Sequence, residues 1–183
     1  MSGSSAPQYG VMLLKALRDL KVESHFVMSD GARRTLKMEM GLHAGEVEAL
    51  ADVVYDPRNL GAAISSGSFL TTGMVVIPCS MRSLAAIAAG TSDNLLLRAA
   101  DVTLKERRPL VLVTRETPLS YIHLRNMMEV TQAGAVVLPP VPAFYHRPQT
   151  IDDLILHACG KVLDQFGIAH GLYRRWTGDP GGR

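Results

Sequence analysis

No stretch narrows the possible folds as sharply as residues 74–83, MVVIPCSMRS. Met74, Val75, Val76 and Ile77 form a short apolar run rich in β-branched residues, the signature of a buried strand. Pro78 and small or polar residues interrupt it, and a helix-like run starts at Leu84, so the segment reads as strand, tight turn, helix start. The motif recurs. PLVLVT at 109–114 is another buried strand, followed by helical spacing over 122–132. AVVL at 135–138 is a further strand, and 151–166 is a strongly amphipathic helix. Before them, VESHFVMS at 22–29 reads as a strand ending in serine, and 31–40 as a helix carrying Glu39. Strands alternating with helices predict a mostly parallel sheet with helices on both faces, a three-layer Rossmann-like, flavodoxin-like α/β domain.

The remaining composition sets bounds. A chain of 183 residues is one domain by length, expected to span 1–183 with a mobile tail at 177–183. Hydrophobic content of 47% against 20% charged residues describes a globular chain. A net charge of +2 without a basic stripe argues against nucleic acid. Cys79 and Cys159 are the two cysteines, too few for a disulfide framework or a zinc site, and no metal-ligand spacing is present. No apolar run approaches the roughly 20 residues of a membrane span, and no signal peptide is visible, so a cytoplasmic protein is expected. Residues 1–10 read as a small-residue loop with no strand before it, 11–20 as a helix, and 84–89 as a helix ended by Gly90. Residues 56–72, which include Ser66-Gly67-Ser68, read as a long covering loop. Residues 139–148 are too proline-rich for regular structure.

In open α/β sheets ligands sit beyond the carboxyl ends of the strands. Ser80 and Ser83, with the first free amides of the helix behind them, would there face an anion such as a phosphate. A plain serine cap is the competing reading. Several strands end in a polar group: Ser29, Ser80, the pair Arg115-Glu116, and Tyr145 after the proline loop. A core needs none of these groups, so a shared crevice along one sheet edge is the better reading. Taken singly, Arg98, Lys105 and Lys161 are ordinary helix charges, Glu39 is a helix-face carboxylate, and Tyr145 is a packing residue. His25, His123, His146 and His157 lack metal spacing and read as structural. Met38, Met40, Met127 and Met128 read as core or interface filler, and Cys79 as a small buried residue.

Several stretches carry a more specific likeness: SGSSAPQYG near the start, VMSDGA, SSGSF, IPCSMRSLAAIAAG, the long run NLLLRAADVTLKERRPLVLVTRETPLSYIHLRNM, PPVPAFYHRPQTIDDL and the closing RRW. Through them the chain resembles the UbiX-type flavin prenyltransferases, of the flavin-dependent cysteine-decarboxylase-like fold group. The resemblance implies a metal-independent transfer of a dimethylallyl group from dimethylallyl phosphate to reduced FMN, first at N5 and then at C6. It implies prenylated FMN as product, a UbiD-type decarboxylase as its recipient, and a homo-oligomer, a dodecamer in the family, with sites at subunit interfaces. By the same likeness Gly3, Ser4 and Ser5 match the turn that holds the flavin, and Ser29 the serine after the second strand. Ser80, Met81, Arg82 and Ser83 match the phosphate-side turn, and Arg115 the arginine on FMN. Glu116 matches the glutamate at the reacting centre, with Ser5 and Glu39 as further catalytic matches. Tyr145 and Lys161 match the prenyl-phosphate pair, and Arg98 and Lys105 the cations that reach this phosphate from a neighbouring subunit.

The sequence departs from that pattern at its start. The family places a buried strand ahead of the small-residue turn, where this sequence has only Met1. Ser4, Ala6, Pro7 and Gln8 stand where the family has Ala, Gly, Ala and an apolar residue. Three functions follow as expectations: the prenyltransferase, a flavoprotein that itself decarboxylates an aromatic acid, and a non-catalytic subunit that carries flavin.

Overall fold

The computed structural model describes residues 1–178. In chain order these form α1 (Gln8–Asp19), β1 (His25–Val27), α2 (Asp30–Met40), α3 (Ala44–Glu48), β2 (Val53–Tyr55), a 3-10 turn (Ala63–Ser65), β3 (Met74–Cys79), α4 (Met81–Ala88), α5 (Leu95–Lys105), β4 (Leu110–Thr114), α6 (Tyr121–Gln132), β5 (Val136–Val137) and α7 (Ile151–Gln165). All strand pairs are parallel: β1 with β2, and β4 between β3 and β5.

The strands read as continuous apolar runs because both of their faces are covered. Every residue of β4 is buried, and its side chains alternate between two cores. Val111 and Val113 pack with Leu13 of α1 and Ile155, Cys159, Val162 and Leu163 of α7. Leu110 and Leu112 pack with Leu84 of α4, Leu95, Leu96 and Ala100 of α5, and Val130 of α6. Each such valine or leucine contributes about 1.5–3 kcal/mol by leaving water. A third cluster, with Phe26, Met28, Leu36 and Val47, seats α2 and α3 beside β1. The three-layer expectation therefore holds.

Where the family pattern leads one to expect a first strand, the structure refines the expectation. The sheet is split into a two-stranded and a three-stranded part, and the first residues bridge them at one end only. The Met1 nitrogen donates to the Val27 carbonyl at 2.7 Å, and the Ser29 amide returns a bond to the Met1 carbonyl at 3.1 Å. On the other side the Ser2 amide donates to the Pro78 carbonyl at 3.2 Å. Below this bridge a cavity of about 480 Å³ opens between β1 and β3, with Leu13, Val27, Phe69, Met74 and Phe166 in its lining.

Other boundaries differ for local reasons. Residues 1–10 are not all loop, because α1 begins at Gln8, behind Pro7 at φ −58°, an angle the proline ring already imposes. The run at Asn94 is a full helix, α5, whose first turn is capped by the Asn94 side chain accepting from the Leu97 amide at 3.1 Å. Two short elements, α3 and β2, stand in a stretch for which no element was predicted; five and three residues are too few to show a period. The tail expected at 177–183 lies mostly outside the described residues. No helix among the described residues is long and apolar enough to cross a membrane.

Candidate active site

Parallel strands place their carboxyl ends along one rim, and hydrogen bonds stitch this rim together. Ser2 fastens the chain's first residues to the end of β3, donating from its hydroxyl to the Pro78 carbonyl at 3.1 Å and accepting from the Ser80 amide at 2.8 Å. The Ser4 hydroxyl donates to the Arg115 carbonyl at 3.0 Å, and the Arg115 amide donates to the Cys79 carbonyl at 3.4 Å. Gly3 lies directly on Gly31, where a Cβ would come within 2.9 Å of the Gly31 backbone. Glu39 reaches back from α2 and accepts from the Ala6 amide at 2.8 Å. That bond fixes the turn where Ala6 sits at φ +68°, a left-handed conformation seldom taken by non-glycine residues.

Gly3, Ser4, Ser5, Ser29, Ser80, Met81, Arg82, Ser83, Arg115 and Glu116 thus belong to this rim or the helix turns that open onto it, and Glu39 reaches the first turn of the chain from the last turn of α2. Two serines also serve as caps. Ser29 Oγ accepts from the Ala32 amide at 3.1 Å. Ser80 Oγ accepts from the Ser83 amide at 3.2 Å and donates to Ser83 Oγ at 3.1 Å. The cap reading and the ligand reading are therefore compatible: the Ser80 hydroxyl is consumed, which leaves the Ser83 proton free to turn toward an anion. The first amides of α4 also have no acceptor within their own helix.

The strand ends suit a bound flavin. Thr114 Oγ1, at the end of β4, and Gln8 Oε1, at the start of α1, are buried without a hydrogen-bond partner. Orphaned polar atoms of this kind call for a ligand. Glu116 stands exposed just past β4, its Oε1 accepting from the Thr117 amide at 3.0 Å. Burial pushes the Cys79 thiol up to about 12, so it stays protonated beside the rim and is no nucleophile. Among the described residues no group of acidic, cysteine or histidine side chains is arranged to hold a metal.

Two further groups stand apart from the rim. Tyr145 and Lys161 belong to a cluster built from the proline-rich segment before α7, α7 itself and the segment after it. The Tyr145 hydroxyl lies 2.9 Å from His157 Nε2. Asp164 accepts from Arg175 at 2.6 Å, from the Tyr173 hydroxyl at 2.7 Å and from His170 at 3.1 Å, and Lys161 Nζ is 3.6 Å from it. Burial alone would raise the Asp164 carboxyl, but these donors hold it well below the usual carboxylate range. Arg98 and Lys105 stand on α5. Arg98 pairs with Asp101 at 2.6 Å and donates to the Ser65 carbonyl at 3.2 Å, while Lys105 pairs with Glu106.

Residues 66–68 do not lie over this chain's own rim. Arg108, just ahead of β4, clamps them by donating to the Gly67 and Phe69 carbonyls at 2.6 and 2.8 Å. That is the amino-terminal edge of the strands, opposite the rim. No hydrogen bond among the described residues ties the α5 cations or the Tyr145 cluster to Glu116. Sequence reading missed Ser2, Gly31 and Asp164, and took His157 as structural. Only Gly31 left a signal, in the SDG turn after a strand.

A strand-end rim of serines, close-packed glycines and an arginine–glutamate pair defines a nucleotide- or flavin-binding α/β protein. A family model described as Flavoprotein matches residues 1–160. The chain is 55% identical over 181 residues to the flavin prenyltransferase UbiX of Escherichia coli K12, covering 97% of this chain and 96% of that protein. The crystal structure of AnUbiX (PadA1) in complex with FMN and dimethylallyl pyrophosphate superposes with a TM-score of 0.95 at 54% identity, covering 97% of this chain and 95% of that one. A dodecameric FMN-dependent UbiX-like decarboxylase from Escherichia coli O157:H7 superposes with a TM-score of 0.93 at 51% identity, over 97% and 100% of the two chains. The chain belongs to the flavoprotein family and, within it, to the UbiX-like flavin prenyltransferases.

Proposed function

We propose that this protein transfers a dimethylallyl group from dimethylallyl phosphate to reduced FMN, at N5 and then C6, and releases prenylated FMN for a UbiD-type decarboxylase. The observation that carries this reading is the close likeness, 54% identity at a TM-score of 0.95, to a structure holding FMN and an allylic diphosphate together. The flavin supplies the nucleophilic positions; the chain supplies everything around them. Gly3, Ser4, Ser5 and Ser29 line the flavin, and Arg115 offers it a cation. Ser83 and the first amides of α4, at Met81 and Arg82, take its phosphate.

As the allylic carbon–oxygen bond breaks, both electrons stay on the phosphate oxygen, so cations and proton donors must stabilise the growing charge. Tyr145 and Lys161 form one half of that phosphate site. Arg98 and Lys105 form the other, from a neighbouring subunit. This division is supported by their separation within one chain and by the apolar stripe Tyr121, Leu124 and Met128, which α6 leaves exposed and which a second copy would cover. Glu116 moves the proton released as the flavin is alkylated. Glu39 and Ser5 hold the turn beside it. A homo-oligomer in the cytoplasm belongs to the same reading.

A flavoprotein decarboxylase or a plain flavin carrier would need no site for an allylic phosphate. Incubation with reduced FMN and dimethylallyl phosphate, read by product mass, separates the three. The expected result is one flavin product heavier by the prenyl group. In Glu116→Gln, FMN stays bound and product formation falls by about 100-fold or more. Unchanged turnover in that variant removes Glu116 from the chemistry.

A further inference from the structure

Tyr145 has a single phenolic proton, and its direction decides whether the side chain attracts or repels an anion. Among the described residues the Tyr145 hydroxyl has one hydrogen-bond partner, His157 Nε2 at 2.9 Å. Were the phenol to give its proton to that nitrogen, it would show only lone pairs to a phosphate. Were the nitrogen to donate instead, the proton would be free to point at a phosphate oxygen. We infer that His157 is a positioning residue for the prenyl-phosphate site, its Nε2–H donating to the Tyr145 oxygen so that the phenolic proton turns outward to the phosphate. This inference rests on the prenyl-transfer reading above.

The surroundings of His157 fit that role. Its side chain is held on α7 with 7% of the residue exposed. Its ring stacks on His146 at 4.9 Å and 7°, and the Tyr173 ring closes the other approach at 4.6 Å. Both ring nitrogens of His146 are buried without a partner, so His146 acts through its ring face. The charged or titratable groups around His157 are Tyr145 and His146 from the proline-rich segment, Lys161 and Asp164 from α7, and Tyr173 from the segment after it. Burial, then His146, then Lys161 lower the imidazole pKa, against Asp164. A neutral ring carries one proton, and only with that proton on Nε2 does it orient the phenol as required. Lys161, one helical turn further along α7, extends the same face toward the anion.

Calorimetry on the full-length protein loaded with oxidised FMN, titrated with dimethylallyl phosphate, tests this without turnover. His157→Phe keeps the ring but loses the donor, and should weaken binding about tenfold, the scale of one hydrogen bond serving a charged group. His157→Gln restores an N–H donor and should return within about threefold of the parent. In a Tyr145→Phe background, His157→Phe should add nothing, because its target is gone. FMN content should match the parent throughout, and His157→Met carries the same expectation should phenylalanine not be accepted. Parental affinity in His157→Phe, equal losses in Phe and Gln, or a loss that persists without the Tyr145 hydroxyl overturns the positioning role alone. A parent protein that binds FMN but no dimethylallyl phosphate overturns the prenyl-transfer reading as well.

Discussion

Gly3 and Gly31 meet backbone to backbone, so each can be tested by one methyl group. A Cβ on Gly3 would lie 2.9 Å from the Gly31 Cα and carbonyl carbon, and neither can step aside as a flexible side chain would. A Cβ on Gly31 would lie 3.2 Å from the Gly3 Cα, a milder clash. Gly3→Ala is therefore expected to cost about 1–3 kcal/mol of stability and most of the bound FMN, with Gly31→Ala less harmful on both counts. Thermal melts and the flavin absorbance of the purified proteins check the order. Ser29, Ser80 and Arg115 could be picked out in the sequence because each directly follows an apolar run. His157 could not, since its value lies in a contact with Tyr145, and nothing in the periodicity of α7 marks a buried histidine as different from a buried leucine.

The helices show how far periodicity reaches. α7 and α6 were legible because each is long and two-faced, whereas α3 and β2 were not, being shorter than two periods of any pattern. The segment after α7 is pinned to that helix by one carboxylate, Asp164, shared between Arg175, Tyr173 and His170. Asp164→Asn should release it, and trypsin should then cut after Arg174 and Arg175 several-fold faster than in the parent. The pH dependence has a definite sign. A carboxyl with a lowered folded pKa stabilises docking above its ordinary range and loses that contribution as pH falls through the folded value. Emission from Trp176, the single tryptophan, packed edge-on against Tyr145 at 6.3 Å, should therefore hold steady down to about pH 4 and change only below it.

At the level of the assembly, the proposed division of the phosphate site between chains predicts how two inactive variants complement each other. Arg98→Ala and Glu116→Gln should each be nearly inactive as pure oligomers. Chains of the two variants mixed at equal amounts and reassembled should regain about a quarter of parental turnover, because one random pairing in four unites both native residues. A mixture as inactive as its parts places Arg98 and Glu116 in the same subunit's site. Charged substitutions on the exposed stripe of α6, such as Leu124→Glu, should lower the oligomeric state in sedimentation.

Alternating apolar runs and amphipathic helices were enough to assign a parallel three-layer sheet, and the polar residues just past each run were enough to locate the rim, because both follow from local spacing along the chain. The bridging of the split sheet by Met1 and Ser2, the contact of Gly3 with Gly31, the clamping of residues 66–68 away from the rim, and the pairing of His157 with Tyr145 were all invisible there. Each joins residues whose distance in space has no counterpart in their spacing along the chain, and such pairings exist only once the layers have packed.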